Sequence, residues 1–172
     1  MALLTRTPAT LNALLRGLPE IWTHSNEGKD TWSAFDTVGH LISADRHDWM
    51  PRLRNILENG ETRPFTPFDR FAQTKESEGK SLERLLDDFA LVRRESLSAL
   101  QALNLQIADF ARRGTHPSLG TVTLSELLAT WVVHDLTHLH QLSRVMAHQY
   151  HEAVGPWSAF LGVLKCGGHS AG

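Results

Sequence analysis

The chain has a single cysteine, Cys166, in 172 residues. No intrachain disulfide can form, and this usage is compatible with a reducing cytosol. The basic residues form no cluster and the formal charge is −2, so the electrostatic footprint of a nucleic-acid-binding protein is missing. The opening stretch MALLTRTPATLNALLRGL lacks a basic start followed by a long apolar core. Neither a signal peptide nor a membrane span is expected, and the chain is placed in the cytoplasm. No Val/Ile-rich alternating run is present, so no strand is expected to compete with helices. There is no internal repeat and no linker-like stretch. A chain of this length suits one domain that buries about two-thirds of its unfolded surface. That domain is set at residues 1–166, with 167–172 as a frayed, disordered tail.

What remains is helical periodicity. Leu11, Leu14, Leu15, Leu18 and Trp22 recur at helical spacing and predict a first helix over 8–24. Ser33 is a good N-cap for a second helix reaching about Leu57, with Asn59-Gly60 as its stop. Pro51 lies inside that pattern and should kink or divide it. Residues 60–79, with Pro64, Pro67 and Gly79, read as a loop long enough to have a functional or crossover role. Leu82, Leu85, Leu86, Phe89, Leu97 and Leu100 define a third helix starting near Ser81. A loop over 114–120 follows. Thr123 and Glu126 then form a capping-box signature opening a fourth long helix that ends near His148. Gly155-Pro156 breaks the chain before a short last helix over 157–165. Four long amphipathic helices predict an all-α four-helix bundle with a short extra C-terminal helix.

Histidine is the abundant residue, with ten in the chain. His134 and His138 are four apart on the fourth helix, with Cβ atoms about 5–6 Å apart on one face. That suits two imidazoles gripping one ion through bonds of about 2.0–2.1 Å. Ten scattered histidines give about half such a pair by chance, so the spacing alone is a weak motif. Leu127, Trp131, His134, His138, Gln141 and Val145 share one stripe, an apolar face interrupted by two imidazoles and an amide. Leaving those polar groups buried without partners would cost about 1–3 kcal/mol each, so hydrogen bonds or a metal must satisfy them. Candidate third ligands are His40, His47, His116 and carboxylates. His40 faces Thr37, Ser43 and Ala44, away from the apolar stripe of Val38, Ile42, Trp49, Leu53 and Ile56. Periodicity does not choose among the candidates. Asp135 makes HDLTH a distant echo of the H-E-x-x-H of zinc proteases, with a shorter acid; a partner to a ligand or a helix-packing residue is the simpler role.

Residues 38–49 (VGHLISADRHDW) and 131–141 (WVVHDLTHLHQ) resemble the metal-site helices of the DinB/YfiT-like superfamily of metalloenzymes. Residues 116–120 (HPSLG), 123–128 (TLSELL) and 154–157 (VGPW) resemble one branch of it. The match runs from about residue 32 to 160, in order. The resemblance implies a four-helix bundle of the DinB/YfiT type that forms a homodimer. It also implies one divalent ion per chain, nickel, zinc, manganese or iron, held by His40, His134 and His138. Water or a small-molecule substrate takes the remaining positions. Some members are thiol-dependent S-transferases or isomerases using a low-molecular-weight thiol. The superfamily's name refers to damage-inducible expression and implies no DNA binding. No role for His47 or His140 comes with the resemblance.

A neutral three-histidine set leaves a divalent ion at full charge, a Lewis acid able to activate water or a thiol. A thiol-dependent S-transferase acting on small electrophiles is the first expectation and a metal-dependent hydrolase the alternative, beside a non-catalytic metal-binding protein. Asp135 and Gln141 are expected to orient ligands or polarise bound water. His116, in a Pro/Gly loop, is either a solvated histidine or an acid/base at the cleft rim. Trp32, Trp49, Trp131 and Trp157 are read mainly as core, with pocket lining second. The charges over 75–80 and the Arg93-Arg94 pair are read as solvated surface. Cys166 is not expected to be catalytic.

Overall fold

Local chemistry sets the helix boundaries in the computed structural model, which describes residues 2–166. The tail over 167–172 lies outside the described residues. Helix α1 spans Ala2–Leu15 and buries Leu4, Thr7, Leu11 and Leu15 along one stripe. It starts earlier than the periodicity predicts and also stops earlier. Gly17, at φ 79°, turns the chain where a side chain would be strained, and the pattern resumes as the short helix α2, Glu20–His24.

The capping box of Ser33 and Asp36 opens α3, Ala34–Ala44. A π-helical turn over Asp45–Trp49 follows, then α4 over Met50–Asn59. The expected division is present, but it falls just before Pro51. Proline has no N–H to give the carbonyl of residue 47, so the ladder must be rearranged there, and such wide turns recur at functional sites. Every residue over 37–45 is buried. The small-residue face carrying His40 is therefore as covered as the Val38/Ile42 stripe.

The long loop contains a short helix, α5, Ala72–Ser77. Helix α6, Leu82–Ala102, takes Ser81 as its N-cap, with the hydroxyl accepting from the Arg84 amide. Helix α7, Leu124–His148, opens on the Thr123/Glu126 capping box. Between α6 and α7 lies a hairpin that the sequence reading treated as loop. Strands β1 (Arg113–His116) and β2 (Gly120–Thr123) pair antiparallel, with Gly114 opposite Val122. Four residues are too few to display a period of two, and what stabilises the hairpin is tertiary. The Phe65 amide donates to the Thr115 carbonyl at 2.9 Å. Gly114 sits so close to α4 that a Cβ there would lie 2.7 Å from Ile56 Cγ1. After α7, the expected short helix is two 3₁₀ turns, Gly155–Phe160 and Gly162–Leu164. Trp157 there is 70% exposed rather than in the core.

Helices α1, α3–α4, α6 and α7 form the bundle, with α6 and α7 each packed on both α1 and α3. One apolar cluster gathers Leu11, Leu15, Val38, Leu41, Phe89 and Leu142. A second gathers Leu4, Trp49, Leu53, Ile56, Leu124 and Trp131. Arg93 bridges them, its guanidinium 4.9 Å from the Phe89 ring and 5.4 Å from that of Trp131.

The reading of Arg93 as surface charge is thus corrected: it is 1% exposed. It occupies the α6 stripe between Phe89 and Leu100, a gap in the apolar series. Its Nε donates to Asp45 Oδ2 at 2.6 Å, and its two terminal nitrogens reach both oxygens of Asp135 at 2.5 and 3.0 Å. Nη1 also donates to the Leu4 carbonyl at 3.1 Å. That carbonyl is available because Pro8, four residues on, has no N–H to offer it. Burial alone would lower the Arg93 pKa, but the two carboxylates raise it, so the guanidinium stays charged. Burial pushes the Asp45 carboxyl up against the pull of Arg93.

Candidate metal centre

The three histidines come from two helices that cross inside the bundle. His40 is on α3, and His134 and His138 are one turn apart on α7. His40 Nε2 lies 3.1 Å from His134 Nε2, which lies 3.1 Å from His138 Nε2. Among the described residues these three form the one group of histidine, cysteine or carboxylate side chains whose ligating atoms converge within 4.8 Å of one another with the geometry of a possible metal site.

Neighbouring rings fix the imidazoles. Trp32 packs 4.6 Å from His40 and Trp49 packs 5.1 Å from His134, centroid to centroid. Gln141 fixes the tautomer of His138. Its Oε1 accepts from His138 Nδ1 at 2.8 Å, so the His138 Nε2 lone pair is bare and faces the cluster. His134 Nε2 therefore cannot satisfy both neighbours. With a proton it can bridge only one, and without a proton it meets the His138 lone pair head-on. His40 Nδ1 and His134 Nδ1 are buried with no hydrogen-bond partner among the described residues.

Burial, reinforced by the neighbouring imidazoles, pushes the His40 pKa down to about 3 and that of His134 down to about 2. The Arg70 guanidinium acts in the same direction on both. Burial also lowers His138, opposed by the hydrogen bond to Gln141. At neutral pH the cluster is three uncharged imidazoles with lone pairs converging, and a cation is what relieves that arrangement. Metal–nitrogen bonds of about 2.0–2.1 Å to a tetrahedral ion put the nitrogens about 3.3 Å apart. The observed spacing of 3.1 Å is close to that value. The residues fit a divalent ion.

Asp135, next in sequence to His134, turns elsewhere. Its Oδ2 accepts from Thr7 Oγ1 at 2.6 Å and both its oxygens accept from Arg93. It acts as a helix-packing residue that ties α7 to α1 and α6. The structure brings Gln141 to a histidine and does not bring Asp135 to one. His47 is an exposed surface residue paired with Glu76 at 2.9 Å, and His140 is exposed. Cys166 is exposed as well.

Beside the cluster lies a cavity of about 370 Å³, lined by His40, His134, Trp49, Asp48, Arg52, Arg70 and His116. Three of these, Asp48, Arg52 and Arg70, were not singled out from the sequence. Asp48 and Arg52 carry an i,i+4 ion-pair signature across Pro51, and their Nε–Oδ1 separation is 2.6 Å. Burial pushes the Asp48 carboxyl up to about 6 despite Arg52. His116 reaches the cavity from the end of β1. Its Nδ1 accepts from the amides of Ser118 and Leu119 at 3.1 and 3.2 Å. The neutral ring therefore carries its proton on Nε2. Burial, then Arg52, lowers its pKa.

Among curated proteins none matches this chain. Among solved structures, YfiT from Bacillus subtilis superposes with a TM-score of 0.73 at 19% identity, over 86% of this chain and 84% of that one. YfiT is described as "a probable metal-dependent hydrolase with an unusual four-helix bundle topology". At that identity the likeness concerns the fold, and it agrees with the four-helix bundle built above. The family model of the DinB superfamily matches residues 3–142, a span that reaches into all four bundle helices and holds the three histidines, and the chain belongs to that superfamily.

Proposed function

We propose that this protein is a divalent-metal-dependent enzyme, with His40, His134 and His138 as the ligands. The reaction assigned to it is transfer of a low-molecular-weight thiol onto small electrophiles. The observation that carries the reading is the convergence of three uncharged imidazole nitrogens, on the buried rings of His40 and His138 and the half-buried ring of His134, next to a solvent-reaching cavity. Uncharged ligands leave a bound divalent ion its full charge, which acidifies a thiol or a water at neutral pH.

The chain's own groups divide the remaining work. Gln141 holds His138 in the tautomer that presents Nε2. Trp32 and Trp49 fix the rings and keep water from their faces. His116, in the cavity lining, offers an Nε2–H donor. Asp48, with a pKa of about 6, can take the proton of an incoming thiol as its sulfur bonds to the electrophile, and pass that proton on with the departing group or, in an addition, to the product.

A second reading, hydrolysis, has one observation in its favour: the same Asp48 carboxyl can serve water as a base. YfiT, with the same fold, is described as a probable metal-dependent hydrolase. The test uses zinc- or nickel-loaded protein with 1-chloro-2,4-dinitrobenzene plus 2-mercaptoethanol, and separately with p-nitrophenyl acetate and no thiol. Thiol-dependent turnover that disappears in His138→Ala supports transfer. Turnover of the ester alone favours hydrolysis. Metal-loaded protein inert toward both would contradict an enzymatic role on electrophiles of this kind.

The chain is further proposed to act as a homodimer in the cytoplasm. The exposed Val133 and Leu136 on α7 support an apolar contact, and light scattering tests it. Among the described residues no helix is long and apolar enough to cross a membrane.

A further inference from the structure

The connection from α2 to α3 runs past the histidine cluster. Residues 26–31 (NEGKDT) carry no apolar side chain, and none of them is buried. The segment closes on itself, with the Glu27 amide donating to Thr31 Oγ1 at 3.1 Å and that hydroxyl donating to the Gly28 carbonyl at 2.7 Å. Asp30 is held at φ 61°, a left-handed conformation that costs a non-glycine residue and persists only where contacts impose it. Such a segment has no core of its own, so anchors at particular side chains must hold it down.

Two anchors are evident. Trp32 packs its ring 4.6 Å from that of His40 and 6.2 Å from that of His138, nearly parallel to the latter at 19°. Glu27 lies on Arg144, which sits beyond His138 and Gln141 on α7 and is 4% exposed. Arg144 Nε donates to Glu27 Oε1 at 3.1 Å, and its Nη2 donates to Oε2. A guanidinium fork on both oxygens of one carboxylate fixes direction as well as distance.

The cavity beside the cluster is lined by His40 and His134, but neither His138 nor Trp32 belongs to its lining. His138 is 0% exposed, and the indole of Trp32 covers its ring. An ion held by three imidazoles leaves by losing ligands one at a time, and each loss needs a ring to turn aside. The rings under Trp32 turn only when the indole lifts, and the indole lifts only with the backbone that Glu27 ties to α7. We infer that residues 25–32 form a strap that gates ion exchange at the three-histidine centre, with Trp32 as its seal and the Glu27–Arg144 ion pair as its latch. The inference rests on the proposed function for the identity of the ligands and goes beyond it in assigning what governs the lifetime of the bound ion.

The experiment loads the protein with zinc and follows release to saturating pyridylazoresorcinol in a stopped-flow instrument. Glu27→Gln should release zinc about tenfold faster than wild type, the factor expected for one lost charge-assisted hydrogen bond. Trp32→Ala should be at least as fast. Because the latch acts through the seal, Trp32→Ala/Glu27→Gln should match Trp32→Ala within about twofold. Glu27→Gln/Arg144→Gln, which leaves no charge without its counterion, should release zinc as Glu27→Gln does and serves if the single variant does not fold. A second reading uses metal-free protein and diethyl pyrocarbonate, with labelling sites resolved by tandem mass spectrometry. His138 should react about tenfold faster in Glu27→Gln, while the exposed His47 reacts at the same rate in both proteins.

Zinc release unaltered in Glu27→Gln would overturn the inference, as would effects of Trp32→Ala and Glu27→Gln that multiply in the double variant. Zinc binding that needs the three histidines, with release indifferent to the latch, would leave the metal reading intact. In a protein that takes up no zinc the labelling decides: latch-dependent reaction of His138 would uphold the strap and overturn the metal reading, and latch-independent reaction would overturn both.

Discussion

Acidification should destabilise the metal-free protein through the buried imidazoles of its three-histidine cluster. The folded-state pKa of His40 is about 3 and that of His134 about 2, against about 6.5 in an unfolded chain. Both folded values lie below the unfolded one, so unfolding takes up protons. Their contribution is fully present above about pH 6.5 and is lost as the pH falls toward the folded values. At pH 4.5 each imidazole has lost about 2.7 kcal/mol, and the pair about 5 kcal/mol. His138 shifts in the same direction. Asp48 opposes them. Its folded pKa of about 6 exceeds its ordinary 3.8, so the folded state takes up that proton first and gains about 2 kcal/mol by pH 4.5. Asp45, also raised, acts like Asp48. The net expectation is a loss of about 3 kcal/mol between pH 7.5 and 4.5, a large part of a typical domain's stability. Urea unfolding of chelator-treated protein at the two pH values measures it. His40→Asn/His134→Asn removes both titrating rings while keeping polar side chains, and between pH 7.5 and 4.5 it should gain about 2 kcal/mol where wild type loses about 3. An acid loss identical in the double variant and in wild type would refute the reasoning.

The same depressed values make metal uptake insensitive to pH. Two ordinary histidines would weaken zinc binding about 100-fold between pH 7.5 and 5.5, whereas His40 and His134 should cost almost nothing; a chelator competition corrected for the chelator's own protonation reads the difference. Gln141→Leu leaves His138 Nδ1–H buried without its acceptor. It should lower stability by about 1–3 kcal/mol and zinc affinity about 10–100-fold, both measurable on one preparation. Arg93→Met leaves Asp45 and Asp135 facing each other in the core. It should cost about 3–5 kcal/mol in urea unfolding, and Asp45→Asn/Asp135→Asn added to it should recover part of that loss.

The bundle was legible because its signals are local and repeated. Ser33, Ser81 and Thr123 mark three helix starts by side-chain chemistry alone, and the Leu82–Leu100 series carries the period of α6. The boundaries of α1 were less legible, because Leu18 and Trp22 continue the period past Gly17, where the backbone turns. The hairpin was hidden for a different reason: its strands owe their pairing to Phe65 and to the close approach of Gly114 to α4, contacts remote in sequence. The candidate site divides the same way. His134 and His138 announce themselves by spacing on one helix. His40 could not be chosen by periodicity, because α3 is buried on both faces and the amphipathic argument assumes one. Its place came from the family resemblance, and the structure then sets its Nε2 against that of His134. Arg93 was misread because a charged pair in a sequence reads as surface, although its position on the α6 stripe and the unserved Leu4 carbonyl left by Pro8 both mark it as buried. Asp48, Arg52 and Arg70 reach one cavity only after the π-helical turn and the long loop are folded, and no sequence pattern encodes that meeting.

Metal content tests the central claim most directly. Elemental analysis of untagged, as-purified protein, beside the His40→Ala/His134→Ala/His138→Ala variant, should find about one divalent ion per chain in wild type, as expected for a single three-ligand site. The variant should contain none. Absence of bound metal from wild type, together with no tight uptake of zinc, nickel or manganese, would contradict the account, as would an equal metal content in the variant.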